Sequence, residues 1–417
     1  MKFAASLAAL CVLVTQALTQ TIAIKAGHLV DPETGTVKTN QTIVVENGRI
    51  KSVGDAAAPV GAQVVDLSNS WVMPGMFDCH THVCMSVDSE TYGHNALYRF
   101  DLDNTAPMRA LYAVGNCKEF LHAGITTIRD VGNSGRYIDT DVRRAIEMGA
   151  IEGPTIINAG RIIAPFGGQY FANPDRPELL EPEYFAADTH DEMTKAVREN
   201  IHFGAKVIKI VVDDQRYIYS ADDIKFIVAE AANAGLKVCS HCLTEKGARN
   251  AIEGGVASIE HGFSMSDEIL ALAKKNNVAL VSTDLTPRVW KEYLVPADQG
   301  EDIYKGLIDR LKRAHKAGVT LCFGSDLVFK IPEMDRGQWA LSQVDGYALA
   351  GIPNVDALRA LTVNAARLLG VDRQRGWIKA GQYADIIAMP NNPLDDIHAV
   401  QHVKFVMKNG HVVRNDS

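Results

Sequence analysis

The sequence predicts an α/β protein: a (β/α)8 barrel of the TIM class, carrying a small β-sandwich formed by the two ends of the chain. Three observations lead there. Short apolar runs alternate with amphipathic helical stretches across about residues 74–369. The segments 20–73 and 370–417 are strand-rich instead, and each carries an Asn-Gly turn. No Gly-x-Gly-x-x-Gly follows the first strand of the middle segment, which argues against a doubly wound open sheet.

The elements follow in chain order. Lys2 supplies a short positive region, and Phe3 to Val14 an apolar one. Ala17 and Thr19 place small residues ahead of a cut after Thr19, so 1–19 is expected to be a signal peptide and the protein secreted or periplasmic. Leu10 before Cys11 argues against a lipoprotein site, and no later stretch is apolar enough to span a bilayer. TIAIKAGHLV, TIVVENGRIKSVG and QVVDL alternate apolar and polar residues, with a hairpin at Asn47-Gly48. YADIIAMP and VKFVMKNGHVV, with Asn409-Gly410, have the same texture at the other end. Pairing of these ends leaves 74–369 as an inserted barrel domain. Its strand candidates are WVMPGMFDCHTHV, ITTIRDV, TIINAGRII, KVIKIVV, KVCSHC, ASIEHG, VALVST and VTLCFGSD. Helical patterns separate them, such as ADDIKFIVAEAANAG, opening on Ser220 as N-cap with Asp223 three residues on.

The 417 residues are 47% hydrophobic and 22% charged, a globular balance able to bury a large core. The net charge of −8, with Lys and Arg scattered, excludes nucleic acid and anionic membrane as expected partners. Beyond Cys11, the cysteines Cys79, Cys84, Cys117, Cys239, Cys242 and Cys322 follow no disulfide spacing and read as buried thiols. Cys239-x-x-Cys242 looks like a redox or zinc pair, but it lies inside one strand with no second pair.

The chemistry sits at strand ends. In Asp78-Cys79-His80-Thr81-His82 the two histidines are two apart, which on a strand points both rings to one side. Such imidazoles are placed to share an ion. His241 closes KVCSHC, His261 closes ASIEHG and Asp326 closes VTLCFGSD, each at the barrel face where active sites collect. Lys209 lies within the apolar run KVIKIVV. Burial would favour its neutral amine, which CO2 can convert to an anionic carbamate able to bridge two cations. An ion-paired or solvent-reaching lysine is the other reading.

The motifs PGMFDCHTHV, AKVIKIV, CSHC, SIEHG and FGSD, in that order, resemble the amidohydrolase superfamily, in its binuclear carboxylated-lysine branch. The flanking segments match too, including GQYADIIAM, so the resemblance covers essentially all of the chain after residue 19. Within that superfamily the chain is most similar to secreted prolidase-like and ochratoxinase-like amidases, relatives of imidazolonepropionase. The resemblance implies that His80 and His82 hold the more buried of two divalent metals, His241 and His261 the more exposed, with carboxylated Lys209 bridging. Asp326 would bind the buried metal and move the proton, so Asp326 and Lys209 are the expected catalytic residues. A metal-bridging hydroxide would then attack the amide carbonyl of a dipeptide or N-acyl amino acid. Zinc is the default metal for imidazole and oxygen donors without thiolate.

Two departures lie beside the expected cleft. Leu243 stands where many relatives have a second histidine, and Gln169 where they carry histidine after Gly167-Gly168. Tyr219, before a helix, and Arg129, at the end of the second strand, complete the candidate substrate contacts. Arg129 either grips a substrate carboxylate through its fork or pairs with an acidic neighbour in the barrel. Gln169 and Tyr170 sit on a loop expected to cover the cleft, and His94 is a weaker cleft candidate. Lactone or phosphoester hydrolysis would need the same centre. A mononuclear deaminase would lack Lys209 and carry Glu where Thr244 stands. A non-catalytic binding protein would have shed ligands that this chain keeps. The expected partner is a small amide or dipeptide, and homo-oligomerisation is open.

Overall fold

The computed structural model describes residues 21–88, 96–169, 174–287, 299–331 and 333–417. The expected signal peptide, His94 and Tyr170 lie outside them. The N-terminal segment forms β1 (Ile22–Asp31), β2 (Thr36–Glu46), β3 (Arg49–Gly54) and β4 (Gln63–Pro74). Asn47 (φ 52°) and Gly48 (φ 76°) between β2 and β3 both take the left-handed backbone that a tight two-residue hairpin demands.

The middle segment contributes β5 (Met76–Thr81), β6 (Ile125–Asp130), β7 (Thr155–Asn158), β8 (Ile162–Ala164), β9 (Tyr184–Ala186), β10 (Ile208–Val211), β11 (Val238–Cys242), β12 (Ser258–His261), β13 (Ala279–Ser282) and β14 (Leu321–Phe323). All pair in parallel, β5-β6-β7 in one ladder and β14-β13-β12-β11-β10-β8-β9 in another. Strands of this kind are covered on both faces, and β5, β6, β10, β11 and β12 are buried at every position. TIINAGRII, read as one strand, breaks into β7 and β8 because Gly160 between them sits at φ 70°. Short β9 was not expected from sequence. After β14 the chain closes against β5: the Ser325 N–H donates to Asp78 Oδ1 (3.0 Å) and the Asp326 N–H to the His80 carbonyl (2.8 Å).

Helices link the strands. Ala221–Ala232 opens on a capping box in which Ser220 and Asp223 exchange hydrogen bonds, as the sequence pattern requires, and Thr189 with Glu192 does the same for His190–His202. Each cap contributes about 1 kcal/mol. The C-terminal strands β15 (Ile386–Met389), β16 (Phe405–Lys408) and β17 (His411–Asn415) return to the first sheet, where β15 pairs with β4. The order β17-β16-β15-β4-β1-β2-β3 is one continuous sheet from the two chain ends. Ile24, Ile43, Leu67, Ile386 and Phe405 share its core. Asn409 (φ 49°) and Gly410 (φ 80°) make the second hairpin turn.

The six cysteines beyond Cys11 are free and buried. Cys239 Sγ faces the Ile208 carbonyl and Cys242 Sγ the Ser240 hydroxyl, so the C-x-x-C pair is two separate core thiols. Among the described residues no helix is long and apolar enough to cross a membrane.

Candidate metal centre

The C-terminal ends of β5, β10, β11, β12 and β14 converge on one cavity of about 240 Å³, which His80, His82, Lys209, His241, His261 and Asp326 all line. His80 Nδ1 lies 2.8 Å from Glu260 Oε2, and His82 Nδ1 lies 2.9 Å from the Gly132 carbonyl. An Nδ1–H donated to such acceptors fixes the tautomer and leaves the Nε2 lone pair free. Both Nε2 atoms then approach Asp326 Oδ1, at 3.4 and 3.2 Å. His80, His82 and Asp326 thereby offer three ligand atoms within 4.8 Å of one another. Burial pushes His80 down to about 4, so its ring stays neutral, as a ligand must. Burial works against an ionised Asp326, but the neighbouring His80, His82 and Lys209 outweigh it and hold the carboxyl below its ordinary range.

His261 completes the line of rings, 4.8 Å from His80 and 4.5 Å from His241, with Nδ1 2.8 Å from the Thr283 hydroxyl. His261 (φ 68°) and Asp326 (φ 52°) both sit in the left-handed region, a strain that persists in a bulky residue only where its surroundings enforce it. His241 Nε2 is buried and makes no hydrogen bond, with Asp214 Oδ2 at 3.4 Å but out of bonding geometry. A buried nitrogen left so is costly, and a cation supplies what it lacks. Lys209, 2% exposed on β10, has no hydrogen bond or ion pair to Nζ among the described residues. The donor set therefore fits divalent cations.

Residues 71–413 match the family model described as Amidohydrolase family. The chain belongs to the amidohydrolase family. It is a hydrolytic enzyme of C–N bonds, in the prolidase- and ochratoxinase-like part that its motifs indicated. Ochratoxinase of Aspergillus niger is 28% identical over 427 residues, covering 92% of this amidohydrolase and 84% of the relative. The crystal structure of a Xaa-Pro dipeptidase with bound methionine in the active site superposes with a TM-score of 0.83 at 25% identity, over 95% of this chain and 100% of that one. A prolidase complexed with N-methylphosphonate-L-proline gives 0.84 at 25% identity, with the same coverage.

The amidohydrolase differs from expectation at its substrate contacts. Arg129 is 1% exposed and uses its whole fork internally: Nη2 donates to both Glu260 oxygens at 2.7 Å, Nε to the Cys79 carbonyl at 2.6 Å and Nη1 to the Ser258 hydroxyl at 3.1 Å. It is not a substrate contact. The acidic-neighbour reading is the one realised. Burial opposes ionisation of Glu260, but Arg129 and His80 overcome it and hold the carboxyl down to about 2. Glu260, which sequence reasoning passed over, therefore anchors His80. Its signal was a carboxylate inside an apolar strand, next to His261.

Arg129→Met leaves that carboxylate buried without its counter-charge, held only by His80 and the Ser258 hydroxyl, at a cost of about 3–5 kcal/mol. A thermal melt should show early unfolding, and adding Glu260→Gln should recover most of the loss. A single variant as stable as wild type would remove the pair from the account of stability.

Tyr219 is also corrected: it is fully buried, donates its hydroxyl to the Ala187 carbonyl (2.6 Å) and stays outside the cavity lining. Leu243 is half-buried and likewise outside that lining, its N–H given to Asp213 Oδ1 (2.8 Å). Gln169 does line the cavity. Its Nε2 donates to Asp214 Oδ2 (3.0 Å), and its Oε1 accepts from Tyr184 (3.2 Å). Asp214 was missed, although the doubled acid after KVIKIVV marked it. Met85, Leu97, Leu285, Val328 and Phe329 supply apolar wall.

Proposed function

We propose that this amidohydrolase is a binuclear, metal-dependent enzyme that cleaves the amide bond of a dipeptide or N-acyl amino acid at the mouth of a closed (β/α)8 barrel. The observation that carries the reading is the meeting of four imidazoles, Asp326 and Lys209 in one cavity, with a buried His241 nitrogen lacking a partner. His80, His82 and Asp326 would hold one cation, and His241 and His261 the other. A carbamate formed from the neutral Lys209 amine and CO2, with release of a proton, would supply an anionic oxygen ligand in the same cavity. Zinc suits these imidazole and oxygen donors. When bound, two such cations lower the pKa of a shared water from ~15.7 toward neutrality and polarise a carbonyl.

The chain's own residues do the rest. Glu260 and the Gly132 carbonyl orient the first two imidazoles. Asp326, held ionised and 22% exposed toward the cavity, takes the proton of the attacking water and hands it to the leaving amine nitrogen. The apolar walls keep bulk water from competing. Lys209 in the cavity beside His241 and His261 favours two ions over the single ion of a deaminase. The ochratoxinase and dipeptidase likenesses support an amide substrate. The parallel strands β5–β14, with the segment after β14 bonded to β5, support barrel closure. In this reading 1–19 directs export to the periplasm or beyond, 20–73 with 370–417 forms a small β domain whose strands make one sheet rather than the two of the expected sandwich, and 74–369 the catalytic one.

Elemental analysis of the purified enzyme should find about two divalent ions per chain, and chelation should abolish turnover across a dipeptide and N-acyl amino acid panel. One ion or none, with turnover intact, sinks the binuclear reading. Turnover of lactones or phosphoesters alone would move the substrate class.

A further inference from the structure

Apart from the proposed metal ligands, Asp214 is the one charged side chain among the described residues lining the cavity. No arginine lines it there, and its one lysine is Lys209. What the wall offers a charged substrate is a carboxylate.

The doubled acid after β10 divides its labour. Asp213 is 2% exposed and fully engaged, accepting from the Leu243 N–H (2.8 Å), the Thr244 N–H (2.8 Å) and the Thr244 hydroxyl (2.6 Å). It fastens the start of helix Glu245–Gly254 and is structural. Asp214 does none of that. Its backbone stands at φ 113°, a region that residues with a Cβ rarely occupy, and its side chain is 31% exposed. A relay holds it there: the Tyr184 hydroxyl donates to Gln169 Oε1 (3.2 Å), and Gln169 Nε2 donates to Asp214 Oδ2 (3.0 Å). Oδ2 is thereby used, while Oδ1 makes no hydrogen bond among the described residues. A carboxylate held in strained backbone by two side chains, with one oxygen open to a cavity, is arranged to receive a cation.

We infer that Asp214 binds the α-ammonium group of the substrate, so that the enzyme acts on dipeptides with a free N-terminus in preference to N-acyl amino acids. This rests on the proposed amide hydrolysis, with the scissile carbonyl beside His241 and His261. The α-ammonium is carried on the carbon next to that carbonyl. Asp214 Oδ2 lies 3.4 Å from His241 Nε2, so the carboxylate stands where the ammonium arrives. The four imidazoles give an ammonium nothing to pair with, a Lys209 carbamate would be spent on the cations, and Asp326 is turned to His80 and His82. A carboxylate–ammonium contact here is a charge-assisted hydrogen bond in a partly dry site, the stronger kind. An N-acyl group presents only a neutral amide at that point and forgoes it. Gln169 and Tyr184 act through Asp214, as positioning residues.

The test is a matched pair of substrates, a free dipeptide and its N-formyl counterpart, with wild type, Asp214→Asn and Asp214→Glu. Wild type should prefer the free dipeptide in kcat/KM. Asp214→Asn should cut the free-to-formyl ratio by roughly 10–100-fold, and Asp214→Glu should restore part of it. A ratio unchanged in Asp214→Asn, whether or not metal content or both rates fall, overturns the inference. Should wild type cleave neither compound, the proposed dipeptide and N-acyl substrate class fails on its own. Calorimetric binding of the same pair then decides: the free dipeptide must bind wild type more tightly than its formyl form, with that difference lost in Asp214→Asn. Equal binding overturns the inference.

Discussion

Lys209→Ala strips most of the bound metal and lowers kcat/KM by on the order of 10³-fold or more, the scale set by losing several kcal/mol of charge stabilisation. The reason is positional. Lys209 sits on β10 at 2% exposure, between the ring pair at the end of β5 and the rings at the ends of β11 and β12. In the proposed centre a carbamate on its amine would supply an anion to the cavity that both sets of imidazoles line. Alanine removes that anion, and two cations would then face each other without a shared ligand. Lys209→Met separates charge from packing. Methionine refills most of the volume, so thermal stability should recover relative to alanine while metal content does not. Elemental analysis and kcat/KM on one amide substrate decide the matter. Full activity with two ions in Lys209→Ala would end the role of a carbamate.

Asp326→Asn should retain much of the metal yet lose turnover by roughly 10²–10⁴-fold, the span of a general acid–base group. Asparagine keeps the shape and one oxygen donor toward His80 and His82, 3.4 and 3.2 Å from the native carboxylate. It cannot take a proton. The wild-type side chain is held ionised by those rings and Lys209 against the effect of burial, the state in which it can accept a proton. Single-turnover rates with measured metal occupancy check the point. Wild-type-like rates would remove Asp326 from proton transfer, and metal loss matching the rate loss would make it a ligand only.

Much of this site was legible in one dimension because its signals are local. His80 and His82 share a side through the two-residue period of a strand, and Lys209, His241, His261 and Asp326 each interrupt or close an apolar run. The two Asn-Gly turns needed no tertiary help, since their positive φ values are a property of the residues themselves. The break at Gly160 was harder to read. A glycine inside a strand pattern is compatible with a bulge, a bend or an end, and only the pairing partners of β7 and β8 choose among them.

The substrate wall was read least well. Arg129 at a strand end carried two readings, a substrate grip or an internal acidic partner, and Tyr219 was singled out ahead of a helix; both prove to be consumed inside the fold. What the sequence alone determined was which side chains gather in the cavity: strand periodicity pairs His80 with His82, and strand-end positions pick out His241, His261 and Asp326. What the tertiary structure decided was the partner of each buried charge. Arg129 meets Glu260 across 131 positions of chain, and Gln169 meets Asp214 across 45. A buried charge takes whichever counter-charge lies within a few ångströms, and that distance is set when the parallel strands assemble, not by any spacing along the chain.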